Sequence, residues 1–246
     1  MSRKLVLLFA LAFVAAAAVL ACTGSPALPD PSPTPDLTAA EIAQRATEAM
    51  LAIRSLHYEI DVEGVHHYID SPPTTALKHV EGDLLRPDKV RGVMRVNTLG
   101  ITTDVGFIGI GGLSYITNPL SQRWETLPPE WGWQFDPRLP FDQEVGIPAI
   151  VSQVTLDRLG LESLGDRPAY RLHGTALAQE VMRWQAGPAG AGDVLVEVWI
   201  DSETFLLHRV RLTELGSDPE RPRTWEIAFS QFDEPVQIAT PPVAPS

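Results

Sequence analysis

About eleven short segments of alternating apolar and polar residues constrain the fold of this chain more than any other feature of its sequence. In the first of them, Leu56, Tyr58, Ile60 and Val62 alternate with charged or polar residues. A period of two residues is typical of a β-strand with one buried face. The same pattern predicts further strands at 76–85, 89–97, 101–108, 113–117, 123–127, 154–164, 169–174, 194–200, 205–213 and 224–232.

Most links between these segments are short and rich in turn-forming residues, as at 86–88 and 165–168. Consecutive strands with such links are antiparallel neighbours in a meander. Because ten or eleven strands are too many for a flat open sheet, we expect the sheet to curl. The sequence therefore predicts an α+β fold: a strongly curved antiparallel β half-barrel of about 10–11 strands, with helices packed over its concave face.

Three helices are predicted to provide that cover. The first begins at residue 38, where Thr38 and Glu41 match a capping box and an apolar stripe follows with helical spacing. A short helix is predicted at 148–153, with proline at its first position. Another is predicted at 176–185.

Two inserted stretches carry more large apolar residues than a solvated loop would. One is the proline-bounded segment 128–151, which includes Trp131 and Trp133, and the other is the predicted helix at 176–185. These stretches either complete an ordinary core or line a cavity for an apolar ligand, and the sequence leaves both interpretations open. The predicted lining residues of such a cavity are Met94, Val96, Ile101, Val105, Phe107, Tyr115, Phe141, Ile150, Val181 and Trp184.

The N-terminus has the pattern of a secretory signal peptide, with Arg3 and Lys4 followed by an apolar run at 5–20. The run ends at Ala21 and Cys22, and this junction resembles the bacterial lipobox, in which the cysteine is acylated and becomes the new N-terminus. We therefore predict lipidation of Cys22 and anchoring at the outer face of the cell membrane. An uncleaved membrane anchor and ordinary cleavage near Ala21 are the alternatives, although the apolar run is short for a membrane span.

The predicted domain organisation follows from this reading. Residues 1–21 are a lipoprotein signal peptide, 22–36 a proline-rich tether, 37–241 a single domain and 242–246 a loose tail. Cys22 is the only cysteine of the chain, so no disulfide is available to the domain.

Several function classes are disfavoured by composition and motifs. The formal net charge is −12, so nucleic acid is not an expected partner. The sequence contains no G-x-S-x-G, H-E-x-x-H, Walker or C-x-x-C motif, so neither a catalytic residue, a cofactor nor a metal site is predicted. The adjacent His66 and His67 would point to opposite faces of one strand and could not chelate a metal together. An envelope hydrolase would need a nucleophile and a base that these patterns do not provide.

An ordered series of short motifs along the domain carries a family resemblance. These motifs are Ser55-Leu56-His57-Tyr58, Glu81-Gly82-Asp83-Leu84 with Arg86-Pro87, Gly111-Gly112-Leu113-Ser114-Tyr115, Asn118-Pro119 with Arg123-Trp124, Asp136-Pro137, Val198-Trp199-Ile200-Asp201, and Phe229-Ser230 with Pro235-Val236. In this order, behind a lipobox, they resemble the mycobacterial LppX, LprA, LprF and LprG lipoprotein family. The resemblance extends from about residue 40 to residue 241.

The resemblance implies a fold like that of the lipoprotein chaperones LolA and LolB, with helices over the concave side of a half-barrel and an apolar cavity beneath. It implies a non-enzymatic carrier that binds an acylated lipid or glycolipid with long chains and moves it towards the cell envelope. A membrane lipid transporter is the implied handover partner. A sensor or protein-interaction module on the same fold is the alternative, and its interior would be filled by side chains.

Overall fold

The computed structural model describes residues 36–70, 72–127, 136–185 and 190–243. Within them, the helices are α1 (Ala39–Ala52), α2 (Ile147–Gln153) and α3 (Ala178–Val181), with a 3₁₀ turn at Leu139–Phe141. The strands are β1 (Ser55–Glu63), β2 (His67–Tyr68), β3 (Thr75–Leu85), β4 (Lys89–Thr98), β5 (Ile101–Ile110), β6 (Leu113–Thr117), β7 (Trp124–Thr126), β8 (Asp157–Leu164), β9 (Arg167–Leu177), β10 (Asp193–Asp201), β11 (Leu207–Glu214) and β12 (Arg223–Ser230). Residues 1–35 lie outside the described residues, and they include the predicted signal peptide, Cys22 and all of the predicted tether except Asp36. Trp131 and Trp133 of the proline-bounded segment also lie outside the described residues.

All the described strands belong to one curved, unclosed antiparallel sheet, as the alternating segments predict. The strand order is β7-β6-β5-β4-β3-β1-β12-β11-β10-β9-β8, and β2 pairs with β3. The pairing of β1 with β12 joins the first and last strands of the chain at the middle of the sheet, whereas β7 and β8 form its two edges. The two meanders predicted from the sequence are therefore the two halves of one sheet.

The eleven predicted strand segments are all present, and the two-residue β2 is the additional strand. The predicted helix at 176–185 is wrong in its extent, because β9 continues to Leu177 and α3 covers only four residues. Pairing of Leu177 with Asp193 of β10 explains the difference, since a long-range ladder outweighs a weak local helix pattern.

Helix α1 follows its local sequence signals. The Glu41 backbone N–H donates to Thr38 Oγ1 at 3.2 Å, and the Thr38 backbone N–H donates to Glu41 Oε2 at 2.8 Å, which forms the predicted capping box. The bond from the Thr38 backbone holds the pKa of Glu41 below its ordinary value. Ile42, Ala46 and Met50 are buried along one face of the helix, which packs on the core.

Two glycines let aromatic rings lie against the sheet itself. Tyr58, Gly82, Gly92 and Phe107 pair in register across β1, β3, β4 and β5. A Cβ atom at Gly82 would lie 2.7 Å from Tyr58 Oη, and one at Gly92 would lie 2.6 Å from the Phe107 ring. Because Gly82 and Gly92 carry no side chains, the Tyr58 and Phe107 rings can lie directly against the backbone of β3 and β4.

Candidate functional site

The inner face of the sheet and the helices that cover it enclose one continuous apolar core. On β10, Val194, Val196, Val198 and Ile200 point inward and are completely buried. Ile147, Ile150 and Val151 of α2 and Val181 of α3 belong to the same cluster, as do the inward residues of β1, β11 and β12. Covering elements from separate parts of the chain thus complete a single interior, and this interior is the candidate site.

Eight of the predicted lining residues lie in this cluster: Met94, Val96, Val105, Phe107, Phe141, Ile150, Val181 and Trp184. They come from β4, β5, the 3₁₀ turn, α2, α3 and the residues just after α3, so the fold brings them together from distant parts of the chain.

Two predicted lining residues lie elsewhere, and their assignment is corrected here. Ile101 is 72% exposed because it begins β5 at the tip of the hairpin, beyond the covered part of the sheet. Tyr115 is buried but pairs with Ile108, whereas its neighbour Ile116 pairs with the inward-facing Phe107. Tyr115 therefore points away from the interior, because adjacent strand residues face opposite sides of the sheet.

The interior is closely packed in this structure. Ile150 and Val181 are each 1% exposed, and the Tyr58 ring packs against Phe141 with ring centroids 4.6 Å apart and ring planes tilted by 54°. Burial of the Tyr58 hydroxyl raises the pKa of Tyr58, and its O–H donates to the Arg91 carbonyl at 3.3 Å. Because the described lining side chains contact one another, a guest in the interior would have to separate the helices from the sheet.

A polar cluster at one end of the interior was not predicted from the sequence. Glu214 is 1% exposed, its Oε1 accepts from Trp225 Nε1 at 2.9 Å, and its Oε2 accepts from Arg223 Nη1 at 3.0 Å. The Trp225 ring packs edge-on against Trp184 and His67, with centroids 5.2 and 4.8 Å away. Alternation along β11 could have predicted that Glu214 faces the interior, since Glu214 continues the inward series of Val210 and Leu212.

The outer face of the sheet carries paired charges. Arg171, Arg209 and Arg211 lie over the Trp199 ring, with 4.8 to 5.6 Å between each guanidinium carbon and the ring centroid. The same arginines form ion pairs with Glu197 and Glu226. Acidic residues that alternate with the core positions are thus held in ion pairs on the solvated face of the sheet.

Two further observations concern the described residues alone. No group of three or more histidine, cysteine or acidic side chains among them is arranged to hold a metal ion. None of the helices in the described ranges is long and apolar enough to cross a membrane.

A curved antiparallel sheet with an apolar inner face under short helices defines a class of α+β protein, and comparison with known families identifies the particular one. The family described as LppX_LprAFG lipoprotein matches residues 38–238. The chain belongs to this family, as the sequence motifs predicted.

Two solved mycobacterial structures, LprF and LppX, have a similar fold. LprF from Mycobacterium bovis matches at 19% identity and a TM-score of 0.64, covering 85% of this chain and 99% of that chain. LppX from Mycobacterium tuberculosis matches at 18% identity and a TM-score of 0.58, covering 82% of this chain and 98% of that chain. A LolA superfamily protein from Nitrosomonas europaea matches at 11% identity, covering 82% and 96% of the two chains, with a TM-score of 0.28. A search of the curated proteins found no significant match.

Proposed function

We propose that this protein is an envelope lipoprotein, anchored at the outer face of the cell membrane through acylated Cys22. It binds a long-chain acylated lipid or glycolipid in the apolar interior and carries it towards the cell envelope, where a membrane lipid transporter is the handover partner. The proposal contains no catalytic step. Membership of a lipoprotein family supports it.

One observation carries the proposal. The apolar inner face of a single large sheet is covered by helices that come from separate parts of the chain and that belong to none of the strand ladders of the sheet. Transferring an acyl chain of about fifteen methylenes from water into this interior would favour binding by roughly 10 kcal/mol before ordering costs. That free energy is large enough to offset a rearrangement of the lining side chains.

The decisive experiment is native mass spectrometry of the non-acylated domain, residues 37–246, followed by organic extraction. We expect a co-purified lipid, or uptake of offered diacyl and triacyl lipids after delipidation. Val96→Thr adds a hydroxyl to the buried inner face at almost constant volume and should lower lipid occupancy. Val93→Thr, on the exposed side of the same strand, is the matched control and should bind like wild type. Absence of both bound lipid and uptake would refute the proposal.

The proposed anchor is tested separately. Cells that express wild type or Cys22→Ala are labelled with a palmitate analogue, and label is expected on the wild-type protein alone. Equal label on both proteins would contradict acylation at Cys22.

The close packing of the interior favours one alternative function. A lining already filled by Ile150, Val181 and Phe141 would suit a non-enzymatic sensor or protein-interaction module that needs no guest. The two functions differ in the same experiment, since the alternative predicts a lipid-free domain that takes up none of the offered lipids.

A further inference from the structure

A crevice of about 360 Å³ lies between the C-terminal end of α2 and helix α3. Its lining consists of Gln153, Val154, Ala176, Gln179, Glu180, Val181 and Arg183. It opens to solvent and shares two lining residues, Val154 and Val181, with the packed interior.

The floor of the crevice is also part of the wall of the interior. Val154 and Val181 line the crevice, and both belong to the buried apolar cluster. These two side chains are therefore common to the lining of the crevice and to the buried cluster.

Few backbone hydrogen bonds hold the cover at this point, although Val181 and Met182 are buried in the core. Helix α3 has a single turn, closed by the bond from the Met182 backbone N–H to the Ala178 carbonyl at 2.9 Å. The Ala178 backbone N–H also donates to the Gly192 carbonyl at 3.0 Å. A helix this short gains little from cooperativity, so its displacement costs less free energy than unfolding a strand of the sheet.

The rim of the crevice has no net charge. Gln153 and Gln179 contribute carboxamides, and Glu180 and Arg183 contribute one charge of each sign. Carboxamides both donate and accept hydrogen bonds, as hydroxyl groups do. Such a rim suits an uncharged or zwitterionic head group better than an anionic one.

We infer that the crevice between α2 and α3 is the entrance for the acyl chains. In this inference, which rests on the proposed lipid-binding function, Val154 and Val181 separate to admit the chains, and the rim selects lipids with an uncharged or zwitterionic head group.

The test measures the rate of lipid uptake by the delipidated domain. The probe is an NBD-labelled diacylglycerol offered in phosphatidylcholine vesicles. Gln179→Trp places a large ring at the exposed mouth of the crevice, and Gln44→Trp is the matched control on the solvent face of α1. We expect about tenfold slower uptake with Gln179→Trp, an unchanged final occupancy, and wild-type behaviour of Gln44→Trp. We also expect NBD-labelled phosphatidic acid to enter wild type more slowly than the diacylglycerol.

The outcomes separate the entrance from the proposed function. If wild type takes up the diacylglycerol and Gln179→Trp does so at the same rate, the entrance lies elsewhere and lipid binding stands. If phosphatidic acid enters as fast as the diacylglycerol, head-group selection at the rim is wrong. If wild type takes up neither probe, the proposed function itself fails.

Discussion

Replacing Gly82 with alanine should destabilise the domain strongly, although it adds only one methyl group. Gly82 lies on β3 between Tyr58 and Gly92, in the row where aromatic rings cover bare backbone. A Cβ atom there would lie 2.1 Å from the Arg91 carbonyl oxygen, 2.7 Å from the Gly92 Cα atom and 2.7 Å from Tyr58 Oη. Real Cβ contacts essentially never fall below 3.0 Å, so β4 or the Tyr58 ring must move.

The magnitude follows from these contacts. Overpacking that shifts the backbone costs about 1–3 kcal/mol. Displacing the Tyr58 ring also lengthens its hydrogen bond to the Arg91 carbonyl, and a neutral bond of this kind contributes about 1 kcal/mol. We expect a loss of about 3 kcal/mol in the free energy of unfolding. For a domain of this size that loss corresponds to a fall in Tm of roughly 10 °C.

Thermal denaturation followed by circular dichroism measures the effect. Gly165→Ala is the control, since nothing lies within 4 Å of its Cβ position and only its positive φ of 66° opposes alanine. Its cost should be about 1 kcal/mol. Adding Tyr58→Phe to Gly82→Ala should recover little, because the contact with the Arg91 carbonyl remains. A Gly82→Ala domain that melts within 2 °C of wild type, or no lower than Gly165→Ala, would refute this reasoning.

Two further predictions concern buried polar groups. Glu214→Ala leaves Arg223 Nη1 and the Trp225 indole N–H without their acceptor, while the Arg223 guanidinium keeps its bonds to the Val65 and His66 carbonyls. Chemical denaturation should show a loss of about 3–5 kcal/mol in the free energy of unfolding, whereas the exposed Glu220→Ala should show almost none. Equal midpoints for the two variants would contradict this. Burial and the nearby Arg167 lower the pKa of His208, so folding favours its uncharged form, and the stability present above the ordinary pKa of about 6.5 should be lost as the pH falls below it. His208→Gln should reduce this pH dependence, and an unaltered profile in His208→Gln would show that His208 is not its source.

The sequence determined those features that depend on neighbours along the chain. The capping box of Thr38 and Glu41 starts α1 as predicted, because both residues lie within one helical turn. The alternation in β10 predicts that Val194, Val196, Val198 and Ile200 share one face of the strand, and all four are buried. A strand that is paired on both sides keeps its period of two. The family predicted from the short motifs is also confirmed, since the family model matches residues 38–238.

Only the tertiary structure decided features that depend on partners far along the chain. The pairing of β1 with β12 has no local signal, and it is this pairing that joins the two meanders into one sheet. Tyr115 faces outward because the register of β6 on β5 pairs Ile116 with the inward-facing Phe107, and a shift of one residue reverses the face. The extent of α3 was likewise decided by the partner of Leu177 on β10. Whether apolar residues fill an interior or line a cavity depends on the distances between elements, which periodicity along one chain does not encode.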